Sequence, residues 1–504
     1  MKKIFLPFIV FALVVTVIFS FSCNSKSGAE KNSTTSDSGQ FLVNHPDWIK
    51  RANIYEVNLR QYSPGGTIKE FEAHLPRLKE MGVDILWFMP IYPIGKVNMK
   101  ATQNQMVEEI ENPLEREKYL GSYYAIKDYL DVNPEFGTLE EFKALVEKIH
   151  EMGMYVILDI AVNHTAWDHA WIKSHPEYYT RVEKGTTPWN PEWMKQHTAY
   201  FQMLQELGMT YPIFPNETDW WDTADLNYDN QDLRDEMVKI FKFWVSEINV
   251  DGYRCDVAGM VPTDFWEDLR PKLDSIKPVF MLAEAEQVDL HYKSFDATYG
   301  WEFHHVMNNI AQGKKNVKAL DSYFTKDTAT YPASAIRMQF ITNHDENSWN
   351  GTIQERLGDA SKTMAVLYFT IPGMPLIYSG QEAGLNKRLK FFEKDTIDWN
   401  QDNKLSGFYK ELIALKLDNS ALWNGSKGAE LQRIKTTNDS TAYAFIREDE
   451  NSKVLVLMNL SDASLTFSLD TKKDFKGMKE YFGNASFNNN DFELNAWEYR
   501  VYTK

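Results

Sequence analysis

Two stretches of the chain repeat the same order of amphipathic helix, glycine and wholly apolar strand. In the first, apolar residues spaced along Thr67 to Met81 predict one helix, Gly82 ends it, and VDILWFMP follows as a buried strand. In the second, a helix is predicted from Thr138 to Met152, with Thr138 and Glu141 as a capping box, before the strand YVILDI. Strands that are apolar throughout are buried on both faces, as in a parallel sheet covered by helices.

Five further runs predict strands of the same sheet: NIYEV (53–57), DGYRCDV (251–257), VFMLAEAE (279–286), RMQFIT (337–342) and PLIYSG (375–380). A (β/α)8 barrel accommodates this number of strands over roughly 380 residues if insertions are allowed. The alternative is a doubly wound open sheet, but no Gly-rich phosphate loop follows an early strand. We therefore predict an α/β fold built on a barrel.

The remaining segments divide the chain. The barrel is expected over residues 45–425, with an aromatic inserted subdomain at about 165–230 after strand 3 and a second interruption at 96–120. Trp189, Trp193 and Tyr200 belong to the aromatic insertion. After residue 425 short alternating runs such as KVLVLMNL predict a C-terminal antiparallel β-sandwich domain over 426–504.

The N-terminus has the features of a targeting segment. Lys2 and Lys3 precede an apolar run from Ile4 to Phe21, which predicts a signal peptide over residues 1–22. Ser22-Cys23 resembles the lipobox of bacterial lipoproteins, which implies a lipidated Cys23, a flexible polar tether over 23–44, and an exported protein anchored to the membrane on the periplasmic side or the cell surface. An ordinary signal peptide or a membrane anchor is the alternative.

Charge and cysteine content limit the partners and the chemistry. A formal net charge of −17 argues against nucleic acid, which is bound by clustered Lys and Arg. Only two cysteines are present, so if Cys23 is lipidated, Cys255 has no partner for an intramolecular disulfide. Strand alternation points Cys255 away from its neighbours Arg254 and Asp256, which predicts a buried, inert thiol.

Polar residues follow several predicted strands at the point where the apolar run stops. They are Asp159 and His164 in DIAVNH, Arg254 and Asp256 in YRCD, Glu284 in LAE, and His344 and Asp345 in ITNHD. In a barrel these strand ends converge on one mouth. Carboxylates, imidazoles and a guanidinium gathered in one pocket are costly to bury for structure alone, so the set predicts an active site.

At this point the sequence resembles the α-amylase family of glycoside hydrolases from about residue 46 to 504. Seven motifs match in order: GSYYAIKDYLDVNPEFGT (121–138), DIAVNH (159–164), TADLN (223–227), GYRCDVAG (252–259), LAEAE (282–286), FITNHD (340–345) and GMPLIYSGQEAG (373–384). The resemblance implies an enzyme, a retaining hydrolase of α-glucosidic bonds.

Site residues are carried over motif by motif. The resemblance makes Asp256 the nucleophile, Glu284 the general acid/base and Asp345 the third carboxylate, which orients sugar hydroxyls. It also implies that His164, Arg254 and His344 line the subsite of the reacting sugar, that Tyr124 stacks on this sugar, and that Asp159 supports Arg254. Glu284 is preferred to Glu286 because it directly follows Ala283, the small residue that closes the apolar run.

The chemistry of acetal cleavage gives these residues expected properties. One carboxyl group must be protonated and its partner ionised, and in a retaining enzyme the two lie about 5 to 5.5 Å apart. We expect Arg254 to hold the pKa of Asp256 down, and the apolar surroundings and nearby anions to raise the pKa of Glu284.

Departures from the family pattern bear on cofactors and linkage. Many relatives bind calcium through an Asn matched here by Asn163 and a His replaced here by Met260, whose thioether is a poor ligand for a hard cation. We therefore expect that no cofactor is required; calcium is left open as an alternative, with Asn163 as the candidate ligand if it is bound. Val257, next to the nucleophile, resembles the residue that relatives acting on α-1,6 bonds have at this position.

The leading interpretation is a retaining hydrolase of α-1,4 bonds in starch-derived glucans or maltooligosaccharides. The alternatives within the family are an oligo-1,6-glucosidase or α-glucosidase, and a transglycosylase in which a sugar instead of water resolves the glycosyl-enzyme. A catalytically inactive glycan-binding protein would be expected to lack at least one of Asp256, Glu284 and Asp345, and all three are present.

Overall fold

The computed structural model describes residues 43–181, 220–399, 403–483 and 485–504. In these segments eight parallel strands close into a barrel. Each strand pairs with the barrel strands before and after it along the chain, and the first pairs with the last through Ile54 and Leu376. The strands are β1 (Ile54–Val57), β2 (Ile85–Phe88), β3 (Tyr155–Ile160), β4 (Gly252–Cys255), β5 (Phe280–Ala283), β6 (Ala297–Tyr299), β7 (Ile336–Gln339) and β8 (Met374–Tyr378). The predicted (β/α)8 barrel is confirmed.

Both faces of the barrel sheet are apolar. Along β2, Ile85 and Trp87 belong to the cluster that fills the barrel interior, whereas Leu86 and Phe88 belong to the larger cluster beneath the helices. This alternation is why the strands read as uninterrupted apolar runs.

Helices surround the barrel in the described residues. The α-helices are Leu59–Tyr62, Ile68–Glu72, Leu75–Met81, Pro113–Arg116, Leu139–Glu151, Trp171–Ser174, Gln231–Ser246, Thr263–Asp274, Leu290–Lys293, Trp301–Ala311, Lys318–Thr330, Ile353–Leu357, Ser361–Thr370 and Asn403–Asp418. A π-helical turn spans Glu346–Asn350, and 3-10 turns span Asp47–Arg51, Val107–Glu109, Pro176–Tyr178, Ala258–Met260, Gly358–Ala360, Gln381–Ala383, Ser420–Leu422 and Gly425–Lys427.

Two helix predictions have different outcomes. The capping box is confirmed, because Thr138 Oγ1 accepts from the Glu141 amide at 3.2 Å and Glu141 Oε2 accepts from the Thr138 amide at 2.9 Å. The single helix over Thr67–Met81 is wrong, since Ile68–Glu72 and Leu75–Met81 are separate helices. Pro76 in the first turn of the second helix lacks an N–H and its ring excludes a continuous helix through the preceding turn.

The inserted segments begin beside the mouth of the barrel. His164–Ala166 pairs antiparallel with Thr223–Asp225 at the base of the predicted insertion, and residues 182–219, with Trp189, Trp193 and Tyr200, lie outside the described residues. The interruption at 96–120 contains a hairpin of Lys100–Thr102 and Gln105–Met106.

The C-terminal segment forms the expected antiparallel domain. Its strands are β9 (Gln432–Thr436), β10 (Ala442–Glu448), β11 (Lys453–Asn459), β12 (Leu465–Asp470), β13 (Lys479–Glu480), β14 (Asp491–Leu494) and β15 (Tyr499–Thr503), paired in the order β13-β15-β11-β10-β9-β12-β14. Alternate residues of β10 serve two cores: Ala444 packs within the domain and Phe445 packs in the cluster that continues into the barrel.

A buried arginine of this sheet forms hydrogen bonds with the barrel. Arg447 on β10 donates hydrogen bonds to the carbonyl groups of Thr370 and Ile371, where a barrel helix ends, and to those of Ala429 and Trp423. Burial lowers the pKa of Arg447 to about 9. The last carbonyl groups of the helix Ser361–Thr370 therefore find their donors on the neighbouring domain.

The predicted signal peptide, Cys23 and nearly all of the tether lie outside the described residues. Among the residues that are described, no helix has the length and apolar character that a membrane span requires.

Candidate active site

A cavity of about 400 Å³ opens at the carboxyl ends of the barrel strands. Six of the predicted site residues line it: Tyr124, His164, Asp256, Glu284, His344 and Asp345. The other two, Asp159 and Arg254, are fully buried and reach the cavity through their contacts with Tyr124 and Asp256. The structure thus brings together all eight predicted site residues, which come from five separate segments of the sequence.

The guanidinium of Arg254 is the centre of this arrangement. Nη1 donates to Asp159 Oδ1 and to Asp256 Oδ1, both at 2.8 Å, and Nη2 lies 2.9 Å from Glu284 Oε2. Nε donates to the hydroxyl of Tyr299 at 3.1 Å. One cation therefore fixes the two carboxyl groups that the resemblance makes nucleophile and acid, and it compensates part of their charge.

Glu284 is also fixed by the backbone. The amide of Val257 donates to Glu284 Oε2 at 2.9 Å. Val257 has a φ of 37°, in the left-handed region that β-branched residues rarely adopt. The strained residue that follows Asp256 along the chain thus holds the neighbouring carboxyl group.

The two carboxyl groups have different proton affinities. Burial raises the pKa of Glu284 to about 7; the Arg254 cation opposes this, and Asp256 and Asp345 add to it. The expectation that Arg254 holds the pKa of Asp256 down is wrong in its net result. Arg254 does lower this pKa, but burial outweighs the cation and raises it to about 6.

Glu286 lies in a different environment, although it is only two residues from Glu284. Its Oε1 pairs with Arg337 Nη2 at 2.8 Å and accepts from the amide of Glu302 at 3.2 Å. It does not line the cavity that Asp256 and Asp345 share, although it does line an adjoining cavity. The geometry therefore favours Glu284 as the acid.

Tyr124, His164 and His344 line the same cavity, and Tyr124 contacts both histidines. The Tyr124 hydroxyl donates to Asp159 Oδ2 at 3.0 Å and lies 2.7 Å from His344 Nε2. His164 Nε2 lies 3.2 Å from the Tyr124 carbonyl oxygen, and burial lowers the pKa of His164 to about 4, so this imidazole is neutral at pH 7. Stacking of Tyr124 on a sugar stays a prediction.

Several lining residues were not predicted. Trp349, in the π-helical turn that follows Asp345, donates from Nε1 to Asp345 Oδ1 at 3.1 Å. Phe391 lies parallel to the Tyr124 ring, with 6.3 Å between centroids. The hairpin at Lys100–Met106 contributes Lys100, Gln103 and Asn104. These residues lie in a short turn, a two-stranded hairpin and a loop, where the sequence shows no extended periodicity, so only the aromatic character of Trp349 and Phe391 could have indicated a sugar site.

Another residue that was not predicted from the sequence is Glu56 on β1, whose side chain is fully buried and contacts His344. A charged residue in the middle of an otherwise apolar strand was the signal that could have identified it.

A second cavity of about 460 Å³ adjoins the first. Both cavities are lined by Val257 and Glu284, and the second also by Met260, Gln287 and Trp301. Glu284 thus faces space on both sides, as a group must if it protonates an oxygen that joins two sugars.

The two positions matched to the calcium site of relatives, Asn163 and Met260, have different surroundings in the structure. The Asn163 amide group donates to Asp225 Oδ1 at 3.3 Å, and the Met260 side chain is 47% exposed to solvent. In the described residues, no group of three or more His, Cys, Asp or Glu side chains is arranged to hold a metal ion. Whether the site binds calcium stays a prediction, which rests on the thioether of Met260 being a poor ligand for a hard cation.

Comparisons with known proteins agree with this geometry. Residues 29–429 match the alpha amylase catalytic domain, and residues 443–501 match the alpha-amylase SusG C-terminal domain. Alpha-amylase 3 of Dictyoglomus thermophilum is 27% identical, over 89% of this chain and 92% of its own length, and a cyclomaltodextrinase of a Bacillus species is 25% identical, over 84% and 75%. The solved structure of a maltogenic alpha-amylase from Thermotoga neapolitana has a TM-score of 0.74 and 26% identity, and the match covers 90% of this chain and 99% of that one.

Proposed function

This chain belongs to the α-amylase family of glycoside hydrolases, and we propose that it cleaves α-1,4-glucosidic bonds in starch-derived glucans or maltooligosaccharides with retention of the anomeric configuration. The observation that carries the proposal is the shared guanidinium of Arg254, which contacts Asp256 on one nitrogen and Glu284 on the other. Two carboxyl groups held by one cation beside a cavity can act on the same sugar, one as the nucleophile and the other as the acid.

The reaction proceeds in two steps. Asp256 Oδ attacks the anomeric carbon while Glu284 donates its proton to the glycosidic oxygen, so the C–O bond to the leaving glucan breaks as the ester bond to Asp256 forms. Glu284, now ionised, then takes a proton from water, whose oxygen attacks the same carbon and releases Asp256. Asp345 stabilises the positive charge that develops on the ring, together with the hydroxyl groups it binds.

The pKa values support these roles. A pKa of about 7 keeps a large share of Glu284 protonated near neutrality, and a pKa of about 6 leaves Asp256 mostly ionised. The order of the two values is the one that the division into acid and nucleophile requires.

Transfer to a second sugar is the other candidate function. It is favoured by the second cavity beside Glu284, where an acceptor sugar could occupy the position of the attacking water. The named relatives include a 4-alpha-glucanotransferase of Thermotoga neapolitana, 25% identical over 70% of this chain.

A product profile tests the function. Purified enzyme is incubated with starch, maltotriose, isomaltose and pullulan, and the products are separated by chromatography and their anomeric form is read by NMR. We expect shorter α-anomeric maltooligosaccharides from starch; products longer than maltotriose would favour transfer, and cleavage of isomaltose alone would favour α-1,6 specificity.

The nucleophile is tested with Asp256→Asn. This isosteric change removes the attacking charge, and activity should be lost. Asp84→Asn is the matched control, because Asp84 is a half-buried carboxylate that accepts from Asn53 near the start of β2, at the opposite end of the barrel from the cavity. Full activity of Asp256→Asn would reject the assignment.

We also propose that the enzyme is exported and anchored to the membrane through a lipid on Cys23. The support is the order of Lys2 and Lys3, an apolar run and Ser22-Cys23 in the sequence. Labelled palmitate should enter the wild-type protein and not Cys23→Ser, and the variant should leave the membrane fraction. Equal labelling of both proteins would contradict the proposal.

A further inference from the structure

Glu56 is a buried carboxylate whose one hydrogen-bond partner, among the residues that the structure describes, is His344. It lies in the middle of β1, its side chain is inaccessible to solvent, and its Oε1 is 2.5 Å from His344 Nδ1. Its Oε2 is buried and has no hydrogen-bond partner in the described part of the chain. Such a carboxylate is costly unless its charge is compensated, so the contact with His344 is the interaction that accounts for it.

The other nitrogen of His344 faces the cavity. Nε2 lies 2.7 Å from the Tyr124 hydroxyl and 3.4 Å from Asp345 Oδ2. Because the Tyr124 hydroxyl donates its proton to Asp159 Oδ2, its oxygen is free to accept from Nε2. Each ring nitrogen of His344 therefore faces an acceptor, and only the imidazolium can donate to both.

The charges around His344 come from four elements of the barrel. Glu56 on β1, Asp159 on β3 and Asp345 after β7 are acidic, and Arg254 on β4 is the one cation among the groups named here. Burial opposes the charge on the imidazole, but Asp345 and Glu56 outweigh it and raise the pKa of His344 to about 9.

We propose that Glu56 is a positioning residue that acts through His344, holding its ring in place and in the doubly protonated form so that Nε2–H is a fixed donor at the wall of the cavity. His344 then fixes the Tyr124 hydroxyl and presents a positive edge to sugar hydroxyl groups beside Asp345. The kinetic part of this inference rests on the proposed function; the charge state of His344 does not.

The test uses Glu56→Gln in the full-length enzyme, because glutamine keeps the size and an acceptor oxygen but removes the charge. Protein labelled with ¹³C-histidine is titrated by NMR, and the His344 resonance is identified by its absence in His344→Gln. We expect His344 to stay protonated above pH 8 in the wild type and to titrate about two pH units lower in Glu56→Gln.

Kinetics give the second measurement. Relative to wild type at the same pH, kcat/KM of Glu56→Gln should be within about threefold near pH 5.5, where His344 is protonated in both proteins, and lower by roughly tenfold or more near pH 8. Recovery at low pH is the sign of a charge-state effect, since a merely structural defect would lower the activity equally at both pH values.

Two variants separate charge from structure. Glu56→Asp keeps the charge, and its activity relative to wild type should be the same at both pH values. Asp296→Asn removes a buried carboxylate that pairs with Arg270 just before β6, away from the cavity, and should leave the His344 titration unchanged.

The outcomes are distinct. A wild-type His344 that titrates near its ordinary pKa, or an unchanged titration in Glu56→Gln, overturns the inference whether or not the variant is active, and the wild-type titration suffices if the variant does not fold. A ratio of variant to wild-type activity that is constant with pH also overturns it. If wild type hydrolyses no α-glucan, the proposed function fails while the NMR result still decides the role of Glu56.

Discussion

The pKa values of Asp256 and Glu284 predict a narrow pH optimum and a specific defect for Glu284→Gln. Activity requires Asp256 ionised and Glu284 protonated, so it falls with decreasing pH through about 6 and with increasing pH through about 7. With these two values the active form reaches only about 60% of molecules near the midpoint and falls to roughly a tenth near pH 5 and pH 8. Because the two groups interact, the measured values belong to the pair.

Glu284→Gln removes the proton donor while preserving its shape. Hydrolysis of maltooligosaccharides should fall by about 10²–10⁴, the range of a general acid, and the alkaline limb of the pH profile should disappear. An aryl α-glucoside with an acidic phenol needs no proton to leave, so its first step should be largely spared. Added azide, which attacks without losing a proton, should restore the second step and give an α-glucosyl azide.

Initial rates between about pH 4.5 and 9 at constant ionic strength provide the assay. Glu286→Gln, two residues along the chain, is the matched control and should keep the alkaline limb, because Glu286 pairs with Arg337 and does not line the cavity that Asp256 and Asp345 share. The reasoning is refuted if Glu284→Gln keeps the alkaline limb, or if it loses the same factor on the aryl glycoside as on maltooligosaccharides.

Three further predictions concern other parts of the structure. Arg254→Lys keeps the charge but not the geometry that reaches Asp159, Asp256 and Glu284 together, so kcat/KM should fall by about 10²–10³ with an unchanged circular dichroism spectrum; a loss below tenfold would contradict this. Arg447→Met leaves several buried carbonyl groups without donors, at about 1–3 kcal/mol each, and should lower the urea midpoint without changing KM; an unchanged midpoint would contradict this. Removal of metal ions with a chelator should leave rate and thermal midpoint unchanged, because Met260 offers only a thioether where relatives have a calcium ligand, and recovery on calcium addition after a loss would show otherwise.

The site was predictable wherever a strand ends in polar residues. Arg254 and Asp256 lie two residues apart on one strand, so alternation alone places them on the same side, and the structure joins them at 2.8 Å. The burial of Cys255 between them follows from the same rule and is confirmed.

Other features depend on tertiary context that a local pattern does not carry. Strand β6 has only three residues, Ala297–Tyr299, and was missed because so short a run shows no periodicity. The helix break before Leu75 was missed although Pro76 was visible, since the apolar spacing continues across it. The pKa of Asp256 was misjudged because its burial by surrounding elements outweighs the nearest cation in the sequence.

The left-handed backbone at Val257 implies that thermal stability and catalytic rate place opposite demands on this residue. Holding a β-branched residue in this conformation costs about 1–3 kcal/mol of stability. The same conformation directs the Val257 amide to Glu284. Glycine there would relax the loop and raise the melting temperature, yet it would let the proton donor drift from its place. Selection for heat resistance would therefore favour the very replacement that selection for rate must reject.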